Sequence, residues 1–407
     1  MNATMLPDIR DADVAGRTVL VRADLNVPMH HGAVTDAMRI IRFAPTVAAL
    51  QQRGARVVVM SHLGRPNGQV NPVHSLAPVA NALARELDTP VRFVPDCIGG
   101  AAESVSRSLA PGSVAMLENL RFHEGEEAND RSFALMLSVN GDIFVNDAFS
   151  CSHRAHASTH AVTRLMPSYA GPSLLAEVEA LTLALEDPDR PVAAVVGGAK
   201  VSTKIDILRN IVTKVDFLII GGGMANTFLA AFGHDVGRSL HEPNAIATAR
   251  RVLVEAQRNN CEVILPQDVV VARDFAPHAA SEVASVSAIP SDSMALDLGP
   301  ASLDRALGVL ERSRTLLWNG PLGAFEMEPF GQATFALAQA AADLTAAGRL
   351  LSVAGGGDTA AALGAAGVAD RFTYLSTAGG AFLEWLEGKE LPGIAALAAP
   401  ASALENT

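Results

Sequence analysis

Apolar, β-branched runs recur along this chain, each stopping abruptly at a polar or glycine-rich cluster before helix-like periodicity begins, and this punctuation constrains the fold more than any other feature. In the first half TVLV, RVVVM, VAML and DIFV lead into RADLN, SHLGRP, ENLRF and NDAFS. In the second half VAAVV leads into GGAK, FLII into GGGM, TLLW into NGPLG, and LLSVA into GGGDT. Alternation of this kind builds α/β proteins, with helices covering parallel sheets. Parallel strands set all their carboxyl ends along one edge, and open α/β sheets bind ligands in the crevice there. Two such halves predict two binding edges.

The length of 407 residues calls for two domains rather than one. With 49% hydrophobic and 18% charged residues the chain has enough apolar side chains for large cores. Between the halves, Leu174, Leu175, Val178, Leu181 and Leu185 fall on one helical stripe within Ser173–Glu186, and DPDRP ends it. The predicted organisation is therefore 1–172 as a first domain, 173–190 as a connecting helix and hinge, 191–388 as a second domain and 389–407 as a tail. Leu383–Gly388 reads as a short helix before that tail.

A net charge of −12 excludes a broad nucleic-acid or anionic-membrane surface, so any anion must be recognised locally. No apolar run reaches the roughly 20 residues of a membrane span, and MNATMLPDIRDADV lacks the regions of a secretory signal, so a cytoplasmic location is expected. Cys97, Cys151 and Cys261 are odd in number and widely spaced, which argues for reduced structural thiols.

The second half carries a nucleotide signature. Glycines between a strand and a helix let backbone N–H groups approach phosphate at the positive end of the helix. Three such clusters occur, at Gly197–Gly198, Gly221–Gly223 and Gly355–Gly357, without GxGxxG or GxxxxGK[ST]. There are only four lysines against 27 arginines, yet Lys200 and Lys204 stand four apart beside the first cluster. On a helix starting at those glycines they would face the same way and reach a polyphosphate. Asp358 in GGGDT could hold Mg2+ on the nucleotide or simply cap a helix. Glu326 could accept from a ribose or lie solvated.

The first half carries arginines instead. Arg22, Arg39, His62, Arg65, Arg121 and Arg154 lie in or beside the strand-end motifs, and converging guanidinium forks suit a small, doubly anionic molecule. Asp24 and Asn26 could bond a hydroxyl. His153, His156 and His160 have i, i+3, i+7 spacing, but nothing nearby completes a zinc shell. They read as structural histidines that also add positive potential to the anion site.

Taken in order, RADLNVP, DAMRI, SHLGRP, LENLRFHEGEE, FVNDAFSCSHRAHAS, GGAKVSTK, GGGMANTF, WNGPLGAFE, AGGGDT and STAGGAF resemble the motifs of the phosphoglycerate kinases, from about Asp8 to PGIAAL. The resemblance implies two Rossmann-like lobes joined by a helix, with the C-terminal tail returning to the first lobe. It implies reversible phosphoryl transfer from 1,3-bisphosphoglycerate to ADP, giving 3-phosphoglycerate and ATP with Mg2+, by a monomer. Matched residue by residue, it assigns Asp24, Asn26, Arg39, His62, Arg65, Arg121 and Arg154 to phosphoglycerate. Arg39, Lys200 and Gly379 fall at the transferring group. Lys204 falls on nucleotide phosphate, Gly221, Gly222 and Pro321 on adenine, Glu326 on ribose, Asp358 on the metal, and Gly198, Gly356, Gly357 and Thr359 on the nucleotide.

Two positions depart from the pattern: Ala378 stands where the family shows glycine, and Ala301 where it shows lysine. A methyl at Ala378 would interfere if that residue needed a positive φ. Such a reaction needs positioning and charge neutralisation rather than a side-chain nucleophile, so the lack of a catalytic triad is expected. A nicotinamide-dependent oxidoreductase is the rival enzyme, lacking its glycine fingerprint here, and a non-catalytic nucleotide-binding scaffold is the other alternative.

Overall fold

The computed structural model describes residues 6–398. It divides into two compact units, one taking the chain up to Glu179 and again from Glu390, the other running from Ala180 to Lys389. Of the predicted tail, residues 399–407 lie outside the described residues. No helix among the described residues is long and apolar enough to cross a membrane.

The first unit is built on six parallel strands, in the spatial order Val91–Val94, Val114–Leu117, Arg56–Met60, Thr18–Arg22, Ile143–Asn146, Ser168–Ala170. Thr18–Arg22 is buried along its whole length, as a β-branched run covered on both faces should be. Helix Met38–Gln52 buries Phe43, Val47 and Leu50 against Val19, Val21, Val57 and Val59. The winding reverses at Thr18–Arg22, and the crevice past its carboxyl end opens at RADLN.

Asp147, just past Ile143–Asn146, holds the start of helix Pro172–Leu185. Its carboxylate accepts from Ser173 N (2.7 Å), Ser173 Oγ (2.9 Å), Leu174 N (3.2 Å) and Thr46 Oγ1 (2.8 Å). Burial pushes this carboxyl up to about 6 even against those four donors. Asp147→Ala removes a cap and strands buried donors, so the urea midpoint should fall by the equivalent of about 1–3 kcal/mol. An unchanged midpoint would remove this contact from the account of how the helix is anchored.

The second unit also has six parallel strands, ordered Glu262–Ile264, Phe217–Ile220, Val192–Val196, Thr315–Asn319, Leu351–Gly355, Tyr374–Ser376. This is the 3-2-1-4-5-6 winding of dinucleotide-binding folds, reached without their glycine fingerprint. Between its third and fourth strands the chain inserts an antiparallel sheet of Asp268–Ala272, Ser281–Ser285 and Met294–Leu298.

The sequence reading differs from the structure in two places here. The helix expected at Leu383–Gly388 begins at Gly379 and ends at Leu386. Lys200 and Lys204 do not sit one turn apart on a continuous helix. Gly198 takes φ +127°, Lys200 is extended, and a single 3-10 turn, Val201–Thr203, precedes helix Ile205–Ile211. A glycine turn and the Thr203 Oγ1 bond to the Lys200 carbonyl (2.9 Å) set that irregular path.

From Glu390 the chain is again part of the first unit. Helix Pro392–Ala398 packs on strand Ser168–Ala170 and on the turns Phe149–Cys151 and Ala161–Arg164. Gly393 N donates to Ser152 O (2.9 Å), and a Cβ on that glycine would lie 2.9 Å from Ser152 Cα, so the approach needs glycine.

Candidate active site

At the carboxyl edge of the first sheet, Arg22 ends its strand almost wholly buried, at 1% exposure. Its Nε donates to Ser158 Oγ (2.9 Å), and Nη2 reaches His62 Nδ1 (3.1 Å) and Cys151 Sγ (3.6 Å). A guanidinium only donates, so His62 Nδ1 is the acceptor. Burial, reinforced by the Arg22 charge, holds His62 well below the usual imidazole range. It is a neutral ring whose Nε2 carries the proton.

Asp24 follows, accepting from Arg39 Nη1 and Ser150 Oγ. Burial opposes its ionisation, yet the surrounding cations and the Ser150 hydroxyl hold its carboxyl below the ordinary value. Asn26 Oδ1 accepts from Gly64 N (2.9 Å), and Arg121 Nη1 donates to Gly64 O (2.9 Å), so both side chains pin the SHLG loop. Arg121 Nε also pairs with Glu127 (3.2 Å). Arg65 and Arg154 are exposed, on loops leaving the same edge. Asp24, His62 and Cys151 have ligand atoms within 4.8 Å of one another, but Arg22 and Arg39 bond into that group, which makes it an anion edge rather than a cation site.

The expectation that the SHRAHASTH histidines add positive potential does not hold for two of them. Burial, then Arg22 and its neighbours, push His156 down to about 4, and burial with Arg164 lowers His160. Both are neutral at pH 7, so neither adds to the charge that the arginines supply.

Glu126 was not legible in the sequence. Completely shielded from solvent, it accepts from Ser158 Oγ through Oε1 (2.6 Å) and from Ser158 N through Oε2 (3.0 Å), while its carbonyl takes Ala157 N (2.9 Å). It therefore holds the loop that carries Arg154. Nothing in HEGEE distinguishes this glutamate from its solvated neighbours.

In the second unit the winding reverses between Val192–Val196 and Thr315–Asn319, and the glycine turns interlock there. A Cβ on Gly197 would come within 1.8 Å of Pro321 O; one on Gly222, at φ +66°, would lie 2.8 Å from Gly198 O. Gly221 is packed equally tightly against Leu322. Lys204 turns inward, Nζ donating to Gly197 O (2.6 Å) and Asn319 O (3.0 Å), whereas Lys200 is exposed.

A cavity of about 390 Å³ opens beside these turns. Gly198, Gly222, Pro321, Glu326 and Asp358 contribute to its lining, and Leu240, Val269, Phe275 and Met294 make much of it apolar. That composition suits a flat base with a polar tail. Gly356, at φ +99°, delivers the chain into helix Gly357–Ala365, whose first turn carries Asp358. Thr359 Oγ1 is committed internally, accepting from Gly320 N (2.7 Å) and donating to Gly355 O (2.8 Å), so it ties two loops together. Asp297, also absent from the sequence reading, lies in the cavity wall; burial pushes it up to about 7 although Leu298 N and Ala333 N donate to it.

Gly379 takes φ +24° at the start of its helix, while Ala378 has φ −88°. The positive φ falls on the glycine, and the extra methyl at 378 costs no backbone strain. Ala301 lies in the first turn of helix Pro300–Arg312, its N–H donating to Asp268 Oδ2 (3.1 Å).

Burial lowers Lys204 to about 8, with Asp358 partly opposing the shift. The lysine is charged below that pH and neutral above it, and a polyphosphate beside it would restore the charge. Affinity for a polyphosphate at this site should therefore fall as pH rises through 8, with proton uptake on binding. Calorimetry in buffers of different ionisation heat checks this, and Lys204→Met should abolish the uptake.

The family model described as "Phosphoglycerate kinase" matches residues 9–389. The phosphoglycerate kinase of Methylorubrum extorquens (strain PA1) is 56% identical over 398 residues, covering 97% of this chain and 100% of that protein. That of Agrobacterium fabrum is 55% identical over 385 residues, covering 95% and 96%. Among solved structures, phosphoglycerate kinase from Coxiella burnetii superposes with a TM-score of 0.91 at 42% identity, covering 96% of this chain and 98% of that one.

Proposed function

The chain belongs to the phosphoglycerate kinase family, whose members are glycolytic kinases, and from that premise we propose that it moves a phosphoryl group from the acyl phosphate of 1,3-bisphosphoglycerate to ADP, reversibly, with a carboxyl group as acceptor in the reverse direction. The observation that carries this reading is the division of labour within one chain. One unit has an arginine-rich edge around a neutral His62, and the other has a largely apolar cavity lined by glycine turns, one of which Lys204 bonds.

In this reading Asp24, Asn26, Arg39, His62, Arg65, Arg121 and Arg154 take the phosphoglycerate. The carboxylate of Asp24 and the ring N–H of His62 bond its hydroxyl and anionic oxygens, and the guanidinium groups balance its charge. Gly221, Gly222 and Pro321 border adenine, Glu326 accepts from ribose, and Gly198, Lys204, Gly356, Gly357 and Thr359 cradle the phosphates. Arg39, Lys200 and the Gly379 N–H act on the phosphoryl group in flight, stabilising charge on its equatorial oxygens. No general base is needed, since the attacking atoms are already anionic oxygens.

Asp358 would hold Mg2+. It is an exposed carboxylate lining the cavity beside Gly198, a single hard oxygen that suits a cation keeping several of its waters. When bound, the metal would offset the charge of the nucleotide phosphates.

Ligands held by different units must be brought in line, so we place a hinge in the Ser173–Pro191 region and expect closure to exclude water from the acyl phosphate. X-ray scattering with both substrates should show compaction; an unchanged radius of gyration counts against it. A monomeric, cytoplasmic enzyme is the accompanying expectation. A coupled assay with 3-phosphoglycerate and Mg·ATP, run beside Mg·GTP, tests the activity, and absence of turnover in folded protein overturns it.

A further inference from the structure

Asp96, Cys97 and His123 come together at the carboxyl ends of two directly paired strands of the first sheet. Asp96 and Cys97 follow Val91–Val94, and His123 follows Val114–Leu117 through the turn Leu120–Phe122. One ligand atom from each lies within 4.8 Å of the other two. His123 Nε2 is hydrogen-bonded to Asp96 Oδ1 at 2.8 Å, so two of the three ligand atoms already meet.

The group is held in place. Asp96 Oδ1 accepts from Cys97 N (2.6 Å) and Ile98 N (3.3 Å), fixing the turn. The Cys97 carbonyl takes Asn140 Nδ2 (3.2 Å), and the His123 ring lies 5.3 Å from that of Phe133. The thiol sits at the base, with Cys97 1% exposed, while the side chains of Asp96 and His123 remain 47% and 29% exposed and open to solvent. Backbone N–H groups bond Asp96 here, whereas in the Asp24, His62 and Cys151 group Arg22 and Arg39 bond in and repel a cation.

We propose that Asp96, Cys97 and His123 form a site for a borderline-soft divalent cation, with Zn2+ as the type. A mixed O, S, N set disfavours Mg2+ and Ca2+, and three protein ligands leave the fourth tetrahedral position to water from the open side. The bound cation displaces the thiol proton, since a coordinating thiol is deprotonated outright. The site is separate from the Mg2+ position at Asp358, which lies in the other unit.

The test uses full-length, chelator-treated, nucleotide-free protein titrated with Co2+, followed by Zn2+ competition against a chromophoric chelator. One Co2+ per chain with a thiolate-to-cobalt absorption band, displaced by Zn2+, is the expected result. Cys97→Ser should remove the band and weaken Zn2+ by at least the ~10–100-fold that loss of an outer-shell partner already costs. Cys151→Ser and Asp358→Asn should leave both readouts unchanged. No saturable binding, a band that survives Cys97→Ser, or a band lost in Cys151→Ser overturns the site. If Cys97→Ser does not fold, Asp96→Asn and His123→Gln, on the exposed side, should each give the same loss of affinity, and wild-type affinity in both overturns it equally.

Discussion

Replacing Lys200 by alanine should lower kcat for phosphoryl transfer by about 10²–10³-fold, the cost of removing one preorganised group that meets charge in the transition state. The position favours a clean result. Lys200 is exposed and sits on extended backbone outside any helix, so the fold should lose no more than about 0.5 kcal/mol. A group acting on the phosphoryl in flight affects kcat more than KM, and steady-state kinetics with each substrate varied separates the two. Lys204→Met should behave differently. Its ammonium is bonded to Gly197 O and Asn319 O, so its loss loosens the glycine turns and weakens nucleotide binding as well. Equal turnover after Lys200→Ala would sink its proposed role.

Glu126→Leu should destabilise the protein by about 3–5 kcal/mol, the usual effect of removing one partner from a buried charged network. Both Ser158 donors lose their acceptor, and the buried Arg22 cation loses a carboxylate that interacts with it. Glu126→Gln keeps an acceptor and should recover part of the loss. The two variants should rank in the same order for the denaturation midpoint and for KM toward 3-phosphoglycerate, because Ser158 anchors the loop bearing Arg154. A Glu126→Leu protein with wild-type stability would show that the Ser158 contacts are dispensable.

The central strands were legible because they are covered on both faces: VAAVV and TVLV are apolar at nearly every position and need no periodicity to be recognised. Edge strands gave no such signal. Val91–Val94 is only partly buried, and Glu262–Ile264 has three residues, one of them an exposed glutamate. In the inserted sheet Ser281–Ser285 gave no signal for the same reason, since it reads SEVAS and is almost wholly exposed. Among candidate site residues, those marked by glycine or by a scarce lysine stood out locally. Glu126, Asp147 and Asp297 did not, because what sets them apart is burial by segments distant in sequence, and a carboxylate has no local signature of that. The Lys200–Lys204 spacing misled because helical periodicity assumes a regular backbone, and Gly198 at φ +127° breaks it.

The return of Pro392–Ala398 to the first unit sets an order of events during synthesis. The ribosome must translate all of Ala180–Lys389 before the segment that packs on Ser152 and the Phe149–Cys151 turn exists. At ~5–20 residues per second that interval is roughly 10–40 s. Through it the second unit can emerge and fold, while the first waits with the strand Ser168–Ala170 and the loop behind Arg154 uncovered. The half of the enzyme made first is thus the half completed last.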